Sequence, residues 1–120
     1  MKILILEDAN LISEKVGNII INQINIKPNS NLGLAAGKTM IPIYKELSKL
    51  YKDKKIDFSK VKTFNIDEYL NINKEHSFHN FMNNRLFNKI NINPINIHFP
   101  PVISPSSYDK LIQKSSGIDI

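Results

Sequence analysis

Asp67 and Glu68 are adjacent carboxylates that follow directly on a short, largely apolar run, residues 61–66. A run of that length reads as a buried strand, and ligands of open α/β sheets collect where strands end. A carboxylate held there is placed to move protons, while the plainer use of either residue is to cap a turn. A second candidate is the turn Ala35-Ala36-Gly37-Lys38-Thr39, lying between a strand-like and a helix-like segment. Glycine permits close backbone approach, a helix start presents free N–H groups, Thr39 adds a hydroxyl and Lys38 a positive charge. Ala36, Gly37, Lys38 and Thr39 therefore make an anion site or, equally, an ordinary tight turn. Gly-Lys-Thr also matches the end of a nucleotide-binding P-loop, but that motif needs a glycine five residues before Gly37, where Leu32 stands. His76 and His79, three apart, could suit a metal on a helix face, but no third ligand is evident. His76, His79 and His98 read as surface or cap histidines, and no metal or cofactor is expected.

The elements that must position these residues follow from periodicity. Residues 3–6 are a short apolar run suited to a strand. Asp8 then caps a helix carrying Ile12, Val16, Ile19, Ile20 and Ile24, ended by Pro28. Leu32-Gly33-Leu34-Ala35 returns as a strand, and Met40, Ile43, Tyr44, Leu47, Leu50 and Tyr51 share one face of the next helix. Pro42 lies in its first turn, where a missing N–H is tolerated. Residues 52–60 form a polar connector. After the acidic pair and a loop at residues 71–74, Phe78, Phe81, Met82 and Leu86 have helical spacing. Ile95, Ile97 and Phe99 alternate as a strand. Pro100, Pro101 and Pro105 stiffen the next loop, Ser106 or Ser107 caps a last helix through Leu111 and Ile112, and residues 117–120 open a further strand. The alternation predicts a single α/β domain over residues 1–120, three-layered and Rossmann-like with a mostly parallel sheet. Ile118 and Ile120 at the chain's end give it the look of the amino-terminal part of something longer, a truncated domain.

Composition narrows the classes. A chain of 120 residues supports one modest core, and 42% hydrophobic with 22% charged residues is a globular balance. No apolar run reaches the roughly 20 residues of a membrane span, and the start turns acidic too early for a signal peptide. With no cysteine there is no disulfide or thiolate metal site, and the cytoplasm is the default location. The net charge of +5 does not predict a nucleic-acid partner: Arg85 is the sole arginine among 16 basic residues, and base readout leans on arginine.

Several segments, in order along almost the whole chain, resemble glucosamine-6-phosphate deaminases of the sugar-phosphate isomerase and deaminase family. They are residues 27–35 (Lys-Pro-Asn-Ser-Asn-Leu-Gly-Leu-Ala), Gly37-Lys38-Thr39 with Pro42, Tyr44-Lys45-Glu46-Leu47, Phe64-Asn65-Ile66-Asp67-Glu68-Tyr69, Lys74-Glu75-His76 and Asn96-Ile97-His98. The most specific is Phe-Asn-x-Asp-Glu-Tyr followed by Lys-Glu-His. The resemblance implies conversion of glucosamine 6-phosphate and water to fructose 6-phosphate and ammonia, without a redox cofactor. It implies Asp67 as the base that moves the C2 proton to C1, and Ala36, Gly37, Lys38 and Thr39 as sugar and phosphate contacts. Glu68 and His76 are implied as support near the site. The chain departs from the family at Ala36, where a hydroxyl residue is usual, and at Lys38, where Gly or Ser is common. It is also shorter than usual after His76 and around residues 100–107. Members run to roughly twice this length, so a carboxy-terminal half, or a homo-oligomer, is the expected partner, and inactivity alone is the expectation. The same fold also serves 6-phosphogluconolactonases and the sugar-binding domains of transcription regulators. Regulators carry a helix-turn-helix ahead of that domain, and the first strand expected at Ile3 leaves no room for one.

Overall fold

The computed structural model describes residues 3–101 and 103–120. Met1, Lys2 and Val102 lie outside them, and with them the very start of the chain and the centre of the proline loop. Seven main elements follow one another: α1 (Ala9–Ile26), β1 (Asn31–Leu34), α2 (Ile41–Lys52), β2 (Lys62–Asn65), α3 (Phe78–Arg85), β3 (Ile97–His98) and α4 (Ser106–Lys114). The three strands form a parallel sheet in the order β1-β2-β3. Paired residues in parallel strands share a face, so the registers Leu32↔Thr63, Leu34↔Asn65 and Thr63↔Ile97 define one side. On that side Leu32 and Leu34 pack with Ile20 and Ile24 of α1, Tyr44, Leu47 and Leu50 of α2, and Met82 of α3. On the other side Phe64 stacks on His98 and meets Tyr108 of α4, which makes the third layer.

Local chemistry explains most boundaries. Asp8 accepts from the backbone N–H groups of Asn10 and Leu11, capping α1 as expected. Pro42 sits in the first turn of α2, and the apolar face of that helix is buried as its spacing requires. The buried face of α1 differs from the expected stripe: Ser13, Gly17, Ile20 and Ile24 are inside, whereas Ile12 and Ile19 are more than 40% exposed. Close packing decides this. A Cβ on Gly17 would meet Leu50 Cδ1 at 3.0 Å and Glu46 Cγ at 3.2 Å, so the small residues mark the contact with α2.

Several other expectations are corrected. Residues 3–6 form no strand and leave Ile5 92% exposed, because no strand pairs with them among the described residues. The polar connector anchors itself through buried Ile56 and Phe58. Asn91 fastens that connector, accepting from the Phe58 N–H and donating to Asp57 Oδ1. β2 stops at Asn65, leaving Ile66 67% exposed. β3 is only two residues long, because Pro94 starts a 3-10 turn over Pro94–Asn96 that takes Ile95 out of the alternation. α3 ends at Arg85, and a separate 3-10 turn covers Phe87–Lys89. Neither Ser106 nor Ser107 caps α4: both are already helical, and Ser107 Oγ donates to the Ser104 carbonyl. Residues 117–120 lie along the free edge of β1 without forming a regular strand. Gly33 N–H donates to the Ile120 carbonyl at 2.8 Å and Asp119 N–H to the Asn31 carbonyl at 2.9 Å.

Candidate functional site

β1 and β2 are adjacent and parallel, so the chain leaves both at the same edge of the sheet. Leu34 and Asn65 are register partners, and Ile66 N–H donates to the Leu34 carbonyl at 3.1 Å. The turn containing Ala36, Gly37, Lys38 and Thr39 therefore emerges beside the loop containing Asp67 and Glu68.

The turn is shaped by two features. Gly37 has φ 131° and ψ 165°, a region essentially reserved for glycine, and a short 3-10 turn over Lys38–Met40 carries the chain into α2. Tyr44, fully buried on α2, donates its hydroxyl to the Ala35 carbonyl and ties the turn to the helix behind it. Burial pushes the Tyr44 hydroxyl far above the usual tyrosine range, so it remains a donor. Among the described residues, the N–H groups of Ala36, Gly37, Lys38 and Thr39 reach no backbone or side-chain acceptor. Successive free amides of this kind suit an anion. Lys38 and Thr39 are exposed, and Lys38 forms no ion pair among the described residues.

The two carboxylates of the second loop have different surroundings. Glu68 Oε1 accepts from the N–H groups of Tyr69 at 2.9 Å and Phe78 at 2.8 Å, and Oε2 accepts from His79 at 2.8 Å. Phe78 opens α3, so Glu68 caps that helix from ten residues away, beside the local cap that Ser77 Oγ provides to Asn80. Asp67 is exposed and, among the described residues, has neither a hydrogen-bond partner nor an ion pair. His76 is exposed within the 3-10 turn Lys74–His76, two residues before the amide that Glu68 holds.

The other histidines are engaged elsewhere. The His79 ring packs on Phe99 with centroids 4.6 Å apart, and its Nδ1 lies 3.1 Å from Asn83 Nδ2. His98 stacks on Phe64 at 4.8 Å, and burial, with the charge of Lys62, holds its pKa below the usual value. No group of three His, Cys, Asp or Glu converges on a metal position among the described residues.

Sequence reasoning missed two tyrosine roles. Tyr44 was expected only as core, although a buried phenol normally needs a partner, which was the available signal. Tyr108 had none: its hydroxyl reaches the carbonyls of Asn65 at 2.8 Å and His98 at 3.1 Å, joining the ends of β2 and β3 from α4. Partial burial pushes its pKa up to about 12. Two clefts lie away from these loops. One of about 530 Å³ is lined by Lys52, Lys54 and Lys55, and one of about 760 Å³ runs between α1 and α2. Both are open surface grooves, and the converging loops are the better candidate because their polar groups point to one chemistry.

A family model described as glucosamine-6-phosphate isomerases/6-phosphogluconolactonase matches residues 7–115. A glucosamine-6-phosphate deaminase of Clostridium botulinum is 48% identical over all of this chain and 51% of its own length. One of Mycoplasma mycoides is 44% identical, again over the whole chain and 51% of the relative. A solved monomeric glucosamine-6-phosphate deaminase superposes with a TM-score of 0.92 at 27% identity, over 99% of this chain and 53% of that one. The chain thus spans about half the length of the relatives it matches. With the matched residues covering nearly all of it, the chain belongs to the family of glucosamine-6-phosphate isomerases and 6-phosphogluconolactonases.

Proposed function

We propose that this chain supplies the amino-terminal part of a glucosamine-6-phosphate deaminase site, with Asp67 as its base. The observation that supports this most is the division of labour at the edge of the sheet. Glu68 is engaged by three amides, whereas Asp67, beside a turn of free N–H groups, has no partner among the described residues. Glucosamine 6-phosphate would set its phosphate on the amides of Ala36, Gly37, Lys38 and Thr39, with Lys38 adding charge. Backbone donors make this independent of side-chain identity, so Ala36 loses one hydroxyl contact and not the site. Asp67 would take the C2 proton of the open-chain sugar and return it to C1, converting the aldose amine to a C2 imine. Water adds to that imine and ammonia leaves, giving the ketose phosphate, so the balance needs no redox cofactor. His76, in the 3-10 turn ahead of α3, would border the substrate.

The rest of the family fold would close the site. Its docking surface would be the apolar groove of about 160 Å³ lined by Val16, Ile19, Leu34, Ile43 and Ile120. Ile3, Leu4 and Ile5, exposed for want of a neighbouring strand, would pair there too. A cysteine-free chain acting on a phosphorylated sugar fits a cytoplasmic enzyme. The test is reconstitution with the carboxy-terminal half of the Clostridium botulinum relative, measuring ammonia from glucosamine 6-phosphate and acid from 6-phosphogluconolactone. Ammonia release that Asp67→Asn lowers by about 10²–10⁴-fold, with phosphate binding kept, is expected. A well-formed complex that hydrolyses the lactone alone, or an active Asp67→Asn variant, overturns the reading.

A further inference from the structure

Thr63 and Asn65 project from β2 into the layer that holds α1, α2 and α3, the face they share with Leu32 and Leu34. Both are essentially inaccessible to solvent, yet among the described residues Thr63 Oγ1, Asn65 Nδ2 and Asn65 Oδ1 have no hydrogen-bond partner. Buried polar atoms are almost always paired, and an amide left unpaired in an apolar layer destabilises the fold that holds it. A leucine has the same branched skeleton, with methyl groups in place of the amide's oxygen and nitrogen, and none of that penalty, so the amide at this position calls for a use other than packing.

Its place indicates the use. Asn65 is the register partner of Leu34, the last residue of β1, and the chain continues from Leu34 into Ala35, Ala36 and Gly37. Tyr44 already holds the Ala35 carbonyl from this layer. One residue further, the Ala36 N–H, the Ala36 carbonyl and the Gly37 N–H have no partner within the described chain. A side-chain amide offers two donors and one carbonyl acceptor, and its NH₂ suits the unpaired Ala36 carbonyl. We infer that Asn65 is a positioning residue: when a phosphate draws the turn inward, its NH₂ donates to the Ala36 carbonyl from beneath. The N–H groups of Ala36, Gly37, Lys38 and Thr39 are then left free and fixed toward the anion. That engagement removes the cost of amide atoms otherwise left unpaired in the core. The inference rests on the 36–39 turn being a phosphate site.

The experiment compares Asn65→Leu, Thr63→Val and the unaltered chain, reading melting temperature and the binding of inorganic phosphate at the Gly37 amide by NMR. Asn65→Leu is expected to melt at the same temperature or about 4 °C higher, while its phosphate affinity falls at least about fivefold. Thr63→Val removes the other unpaired group of the same layer. It is expected to melt no lower and to bind phosphate as the unaltered chain does. An Asn65→Leu variant that melts several degrees lower would make the amide a structural group satisfied in solution, and one that binds phosphate normally would remove its positioning role. Either overturns this inference alone. An unaltered chain whose Gly37 amide ignores phosphate overturns the phosphate reading itself, and the inference with it.

Discussion

Removing the carboxylate of Glu68 should unfasten the acidic loop from α3 while leaving the sheet intact. The side chain accepts three backbone N–H groups at 2.8–2.9 Å, two of them, Phe78 and His79, at the otherwise unpaired start of an eight-residue helix. Losing a capping side chain costs about 1 kcal/mol and at most about 2. A negative charge at a helix N-terminus adds roughly 0.3–1 kcal/mol. Water can replace part of this at a site that is only half-buried, which puts Glu68→Ala at about 2 kcal/mol. At roughly 4 °C per kcal/mol for a domain of this size, the melting temperature should fall by about 8 °C. Glu68→Gln keeps the oxygen facing Tyr69 and Phe78 but turns an NH₂ toward the His79 N–H, so about half that loss is expected. Asp67→Ala touches an exposed side chain without partners and should shift stability by less than about 0.5 kcal/mol. Calorimetry gives the three shifts, and hydrogen exchange locates them. The amides of Phe78 and His79 should lose protection in Glu68→Ala, whereas Gly33, bonded to Ile120, keeps it. A Glu68→Ala melting temperature within about 2 °C of the unaltered chain, or protection lost evenly across the sheet, would refute the reasoning.

Three further outcomes follow from other parts of the fold. Gly37→Ala meets nothing within 4 Å but must hold φ at +131°, so the expected cost of about 1–3 kcal/mol is backbone strain, visible as weaker phosphate binding as well as a lower melting temperature. Lys27 and the Asn31 N–H hold the Asp119 carboxyl below the usual carboxylate range. Its contribution is present above about pH 4 and is lost as pH falls through the depressed pKa. The protection of the Gly33 amide, taken relative to its intrinsic exchange rate, should fall on acidification, and Asp119→Asn should flatten that dependence. Tyr108 titrates at about 12, above its unfolded value, so its bridge is whole below about pH 10 and lost as pH rises toward 12. Tyr108→Phe should remove that alkaline limb from a melting-temperature profile.

The parts of the fold that were legible in the sequence are those whose determinants are local. α2 shows its buried face because six apolar residues recur at helical spacing, and β1 and β2 show as short segments between turn signals, marked by Leu32 and Leu34 in one and by Val61, Phe64 and Ile66 in and around the other. What was not legible depends on neighbours distant in sequence. The inner face of α1 is set by Ser13 and Gly17, which admit α2, and polar or small residues carry no hydrophobic signal. Residues 3–6 and 117–120 have strand composition, but a strand exists only with partners for its backbone, and the first run has none among the described residues. Ile56 and Phe58 are hidden in a segment otherwise so polar that it reads as solvated. At the site, the candidate positions were all legible as a turn and an acidic pair. Their separate uses were not, since the partners of Glu68 lie ten and eleven residues on.

That separation is the physical core of the proposed site. Asp67 and Glu68 carry the same charge and stand side by side, so composition and spacing alone assign them the same tasks. The difference is one methylene and one position in the chain. The longer side chain spans the loop to the first amides of α3, and in doing so fixes the backbone from which the shorter one projects. Exchanging the two residues keeps charge and composition constant and isolates this geometry. In Asp67→Glu with Glu68→Asp, the shortened carboxylate at position 68 should hold Phe78 or His79 but not both. The melting temperature should drop by about half as much as in Glu68→Ala. The lengthened carboxylate at position 67 would sit about 1.5 Å too far forward for the proposed proton transfer, which tolerates little misplacement, so ammonia release by the reconstituted pair of halves should fall by about 10²-fold. An exchanged chain that kept both stability and rate would mean that either carboxylate can do either task, and that the order of the pair carries no information.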